Sequence, residues 1–189
     1  MKTNKINALE AVIAALEISE NELTNWFNNR SEDKTGLIPT ELPLVYRRGN
    51  ELTVENGLNL SRKSELWGIQ LLSGVMVALT CGSGNNVSNT TWGEVKKFAE
   101  NMRLNGNLGS LPSKGVLKEH WGGMEEAKFT ATVNVLKENE IAADGYRGCL
   151  WCSETCTPNS ACYFHLGSGY DDRYYKTYTG SRDRVALAF

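Results

Sequence analysis

The sequence predicts an α+β fold with a short helical segment ahead of it, and three observations carry that reading. Four windows repeat apolar residues at helical spacing. Short apolar runs of strand length lie between them. Eighteen Gly against four Pro supply many turns without the composition of a disordered linker. At 189 residues the chain accommodates one ordinary domain and an appendage.

Taken in order, Leu9, Val12, Ile13 and Leu16 predict an amphipathic helix over residues 6–18. Ser19 and Glu22 form a capping box, and Leu23, Trp26 and Phe27 supply the stripe of a second helix ending near Arg30. Two such short helices need burial that they cannot give each other. They pack on the base of the main domain, or they anchor it to a carrier or to other copies. The polar stretch Ser31–Gly36 sets the boundary, giving a helical segment 1–35 and a main domain 36–189. Leu42–Tyr46, Leu66–Leu72 and Val75–Leu79 read as strands, the last as a buried one. Gly82, Gly84, Asn85 and Asn86 mark a loop.

Thr91 and Glu94 form another capping box, ahead of Val95, Phe98, Ala99 and Met102 at helical spacing. Asn105-Gly106-Asn107 stops that helix. Ser113 caps a short helix through Val116 and Leu117, and a longer one over Glu125–Asn139 carries Phe129, Val133 and Leu136. Ala161–Leu166 alternates as a half-buried strand, with Phe164 and Leu166 inward and Tyr163 and His165 outward. Val185–Phe189 is an apolar terminal strand.

Twenty Lys+Arg against 22 Asp+Glu leave a net charge of −2, which argues against a nucleic-acid binder in need of a basic face. No apolar run approaches the roughly 18–20 residues of a membrane span. The start, Met1-Lys2-Thr3-Asn4-Lys5, leads into a polar helix and not a signal peptide, so the sequence predicts cytoplasmic folding and assembly.

The last 41 residues have a different composition. Lys, Glu, Gln, Met and Trp number 35 in residues 1–148 but three afterwards, Trp151, Glu154 and Lys176, where the upstream rate gives roughly ten. Five of the seven Tyr and four of the five Cys lie there. A solvated loop takes Lys and Glu freely, so their scarcity has a cause. One is a glycine- and tyrosine-rich β region. The other is a surface shaped for contact, where Tyr gives amphipathic area at low rotamer cost and Ser, Gly and Asn give adaptable hydrogen bonding.

Catalytic and metal chemistry find less support. Cys149, Cys152, Cys156, Cys162 and His165 form C-x2-C-x3-C-x5-C-x2-H, whose residue types can bind zinc. The spacing lacks two separated knuckles, and on a strand Cys162 faces away from His165. Without an export signal, free thiols are expected in place of a disulfide. His120 beside Trp121 reads as a packed or capping residue, Asp171-Asp172 as water-facing loop residues, and Gly82-Ser83-Gly84 is no phosphate loop. The sequence therefore predicts no enzyme, no cofactor and no metal.

Gly148-Cys149-Leu150-Trp151-Cys152-Ser153-Glu154, then Ala161-Cys162-Tyr163-Phe164, Gly169, Lys176 and Arg184-Val185-Ala186-Leu187-Ala188-Phe189 resemble the C-terminal signature of a C-type lectin-like family. That family includes the variable proteins of diversity-generating retroelements, found in phages and bacteria. Leu111-Pro112-Ser113 resembles the family's Leu-Pro-Thr/Ser before a helix, and the likeness covers residues 60–189. Cys152 stands where Ser is usual, Glu154 is one place early, and Cys162 replaces the Trp of an Ala-Trp strand. The Glu-Pro-Asn and Gln-Pro-Asp motifs of calcium-dependent sugar binding are absent from the sequence, so sugar binding does not follow from the fold.

The resemblance implies a C-type lectin-like fold, with small antiparallel sheets flanked by helices and a variable region over about 149–183. It also explains the tail. Randomising both adenines of an Asn codon yields Tyr, Cys, His, Asp, Arg, Gly, Ser, Leu and others, but never Lys, Glu, Gln, Met or Trp. Trp151, Glu154 and Lys176 are then fixed scaffold. The implied ligand surface comprises Leu150, Cys152, Cys156, Thr157, Asn159, Tyr163, His165, Ser168, Tyr170, Asp171, Asp172, Arg173, Tyr174, Tyr175, Thr177 and Tyr178. The implied partner is a protein or glycan receptor on a target cell surface, with a phage tail or virion as the home of the protein. The alternative is a non-diversified surface or fimbrial lectin-like domain of a bacterium, and a cytoplasmic zinc module comes third.

Overall fold

A computed structural model of the chain describes residues 36–80, 91–121, 123–145, 148–179 and 183–189. The expected helices of residues 6–30, the loop at Gly82–Asn86 and Cys81 lie outside the described residues. All the elements below belong to one compact unit, Ile38–Phe189.

In chain order the elements are β1 (Leu44–Arg48), β2 (Glu51–Glu55), a 3-10 turn (Leu60–Glu65), β3 (Leu66–Gln70), β4 (Met76–Ala78), α1 (Trp92–Asn101), β5 (Arg103–Leu104), β6 (Asn107–Leu108), α2 (Lys114–His120), α3 (Gly123–Glu138), β7 (Cys149–Thr157), β8 (Ser160–His165), β9 (Tyr170–Tyr175), β10 (Asp183–Arg184) and β11 (Ala186–Leu187). They form an α+β fold with two sheets. One has the order β11-β4-β3-β1-β2-β5-β6, the other β10-β7-β8-β9.

The caps form where the sequence places them. Thr91 Oγ1 accepts from Glu94 N at 3.4 Å, and Ser113 Oγ accepts from Val116 N at 3.2 Å. Asn105 and Gly106 do more than stop α1. Both take positive φ, 51° and 81°, and turn β5 into β6 as a two-residue hairpin. Gly68 is required by a close approach: a Cβ there would stand 2.5 Å from the Val77 carbonyl oxygen across the β3–β4 ladder.

Two apolar clusters fill the unit. In one, α3 sets Phe129, Val133 and Leu136 against Leu44, Ile69 and Val77 and against Leu150, Cys152, Cys162 and Phe164 of the second sheet. In the other, α1 sets Val95 and Ala99 against Val45, Met76, Trp151, Tyr163 and Leu187. The second sheet therefore contributes to both clusters, one from each face. The chain end ties the two sheets together. Asp183–Arg184 pairs with β7, and two residues later Ala186–Leu187 pairs with β4. Arg184 is buried; its guanidinium donates to the carbonyls of Leu79, Asp144 (2.8 Å) and Gly145 (3.1 Å) and lies over the Phe129 ring.

Four sequence expectations change. The sheets are not wholly antiparallel, because β10 runs parallel to β7 and β5 parallel to β2. Glu51–Glu55 is a strand that the sequence reading passed over. Asp171 and Asp172 sit on strand β9, not in a loop, and so point to opposite faces. In β8, Phe164 and Leu166 are buried as expected, but Tyr163 is buried as well, at 2% exposure. β8 is an inner strand covered on both faces, so alternation in residue type does not become alternation in burial.

Candidate functional site

The β7–β8 hairpin builds the site. Its register begins at Thr157↔Ser160, passes Thr155↔Ala161 and reaches Trp151↔Tyr163 and Cys149↔His165. β7 thus absorbs three more residues than β8 in bulges between Trp151 and Thr157. The surplus segment is exposed and leans on α2. Ser153 N donates to Pro112 O at 2.9 Å, and the Glu154 carboxylate accepts from Lys114 N at 2.8 and 3.0 Å. An odd shift of three exchanges the partners on each face, bringing Cys149 and not Cys152 beside His165.

β8 and β9 pair in regular register, Tyr163↔Asp172 and His165↔Tyr170. One face of the sheet consequently carries a ladder of rings. Tyr163 is its centre, edge-on to Trp151 (4.7 Å between centroids), His165 (5.4 Å), Tyr174 (5.0 Å) and Tyr178 (6.1 Å). Tyr174 stacks on Tyr178 at 4.8 Å, and His165 meets Tyr170 at 6.3 Å. The outer rings reach water: Tyr170 is 61% and Tyr178 40% exposed, with His165, Tyr174 and Cys149 half-buried. Cys149 Sγ lies 3.2 Å from His165 Nδ1. Burial, then the nearby Asp172 carboxylate, raises the Tyr174 phenol above its ordinary range.

The opposite face of β9 is ionic. Asp171 bridges Lys118 and Lys114 of α2, the latter at 3.2 Å, and both lysines hold its carboxyl below the usual carboxylate range. Near the hairpin tip Thr157, Ser160, Arg173, Tyr174 and Tyr175 line an open depression of about 370 Å³, and Tyr175 is 72% exposed.

The sixteen residues expected at the ligand surface separate on this geometry. Tyr163, His165, Tyr170, Asp172, Tyr174 and Tyr178 belong to the aromatic face, with Tyr163 as its buried floor. Thr157, Arg173 and Tyr175 line the depression, and Cys156, Asn159, Ser168 and Thr177 are exposed around it or on the turns. Asp171 is turned to α2. Leu150 and Cys152 are corrected: both are fully buried in the core cluster shared with α3, on the face away from the rings, and neither can touch a ligand. Cys149 and Ser160 were missed. Only the bulged register, which residue type does not reveal, brings Cys149 to this face.

Three scaffold residues mark the limits of the site. Trp151 is fully buried. Glu154 holds the N-terminus of α2. Lys176 donates from Nζ to Pro158 O at 3.0 Å, lies 4.7 Å over the Trp92 ring and accepts from Trp92 N at 3.1 Å. Among the described residues, no group of three or more His, Cys, Asp or Glu side chains is gathered closely enough to hold a metal ion. No described helix is long and apolar enough to cross a membrane. Compared with known protein families, curated proteins and solved structures, the chain matches none.

Proposed function

We propose that the protein binds a protein or glycan receptor through the aromatic face and the adjoining depression, and carries out no chemical step on it. In this reading it is a C-type lectin-like variable protein diversified by a retroelement, displayed on a phage tail or a comparable structure. One observation carries the proposal. The tail residues that adenine randomisation cannot produce, Trp151, Glu154 and Lys176, all make structural contacts, whereas Tyr170, Asp172, Arg173, Tyr175 and Tyr178, which it can produce, face solvent. Tyr is suited to such a surface because its ring contributes contact area with little rotamer entropy to lose. Leu150, Cys152 and Tyr163 are then fixed positions within the same segment.

The DNA tests this directly. The expected finding is a near-copy of the 3′ end of the gene beside a reverse-transcriptase gene. It should differ only at adenines of the copy, at codons such as those of Tyr170, Asp172, Tyr175 and Tyr178, and never at Trp151, Glu154 or Lys176. A genome without that copy would overturn the diversified reading and leave the non-diversified bacterial surface or fimbrial binding domain in its place.

A further inference from the structure

We propose that Cys149 and His165 form a nucleophilic thiol–imidazole pair, and that Cys149 is the preferred covalent modification site among the described thiols, taking small disulfides and other soft electrophiles. The proposal rests on this pair alone, whatever the aromatic face binds.

The geometry is that of an activated nucleophile. Cys149 Sγ and His165 Nδ1 are 3.2 Å apart, within reach for the ring nitrogen to accept the thiol proton. The imidazole is held in place, edge-on to Tyr163 and tilted against Tyr170. Both partners are half-buried, neither sealed in the core as Cys152 is nor exposed as Cys156 is. On the face that carries the pair, β8 contributes Tyr163, and β9 contributes Tyr170, Asp172 and Tyr174.

The other described thiols are built differently. Cys152 and Cys162 are buried across from each other, burial pushes both thiols up, and neither offers a thiolate to solvent. Cys156 is exposed on the bulge, with no polar side-chain partner among the described residues. The chain therefore carries its own control: an accessible thiol without an imidazole.

With a disulfide the step balances without any further oxidant. The Cys149 thiolate attacks one sulfur, the reagent's S–S bond breaks as the new S–S bond forms, and the departing thiolate takes the imidazolium proton. The bordering rings suit a neutral aromatic reagent.

The test uses the full chain, treated with limiting iodoacetamide across a pH series and, separately, with dithiodipyridine, each thiol being followed by peptide mass spectrometry. Cys149 should react at least about tenfold faster than Cys156 near pH 6.5, with its rate midpoint at lower pH, and Cys152 and Cys162 should be slowest. Dithiodipyridine should place its mixed disulfide on Cys149 first, reversibly with dithiothreitol. His165→Gln should bring the Cys149 rate down to that of Cys156 or below; His165→Asn serves if the first variant does not fold. A Cys149 that reacts no faster than Cys156, or whose rate is unchanged in the folded variant, would overturn the proposal.

Discussion

Tyr163 and Tyr170 are the same residue type on one face of one sheet, with opposite roles. Tyr163 is 2% exposed and touches four other rings, whereas Tyr170 is 61% exposed. Tyr163→Ala should therefore cost about 3–5 kcal/mol, the range for emptying a large aromatic site. Tyr170→Ser and Tyr175→Ser should stay within about 0.5 kcal/mol of wild type. Urea unfolding of the three variants checks the division, and a large loss at both exposed positions would remove them from the contact surface. Arg184 makes the complementary case of a buried charge that donates to backbone carbonyls. Replacing it with Met keeps the volume but removes a charged donor from the Asp144 and Gly145 carbonyls and one of two described donors from the Leu79 carbonyl, which keeps the Asp144 N–H at 2.8 Å. Arg184→Met should cost at least about 2 kcal/mol in the same assay, since hydrogen bonds from a charged donor are each worth about 1.5–3 kcal/mol and several are lost together.

Between elements, the junction of β9 with α2 depends on the Asp171 bridges to Lys114 and Lys118. The folded carboxyl lies below the ordinary range, so its contribution to stability is complete above the unfolded value of about pH 4 and is lost as pH falls through the lower folded value. Thermal unfolding of Asp171→Asn beside wild type should show a small gap near neutral pH that closes toward about pH 3. A gap that is constant over the series would mean that packing, not charge, joins β9 to α2. The legibility of the elements follows similar physics. α1, α2 and α3 were readable because a cap and an apolar stripe are local signals, as at Thr91 with Val95 and Ala99. β9 was not, because an edge strand needs no buried face, and Tyr-Asp-Asp-Arg-Tyr-Tyr has no apolar alternation to show. β2 did carry a signal, Leu52 and Val54 alternating after the Gly49-Asn50 turn, but in five residues it is short. Most exposed residues of the candidate site were named from the tail's composition together with the family resemblance. The site's register was not legible, because no residue type marks the β7 bulges that exclude Leu150 and Cys152 and admit Cys149, and the bulged segment finds its partners some forty positions away.

At the scale of the whole molecule, the described members of both apolar clusters come from the stretch between Ile38 and Leu187. The chain end joins the two sheets of that stretch, β10 pairing with β7 and β11 with β4. A fragment beginning at Ile38 should accordingly fold alone, with one cooperative unfolding transition and with Cys152 and Cys162 protected from alkylation as in the full chain. On the proposed display reading, the sequence stripes at Leu9, Val12, Ile13 and Leu16 and at Leu23, Trp26 and Phe27 would then serve assembly on a carrier or with other copies, and self-association would add avidity to weak sites. Light scattering on the full chain and the fragment distinguishes the cases. A larger full-length species and a monomeric fragment are expected if copies associate through the N-terminal segment. Two monomers would remove self-association and leave the carrier, and a fragment that unfolds without a transition would show that residues 1–37 complete the core.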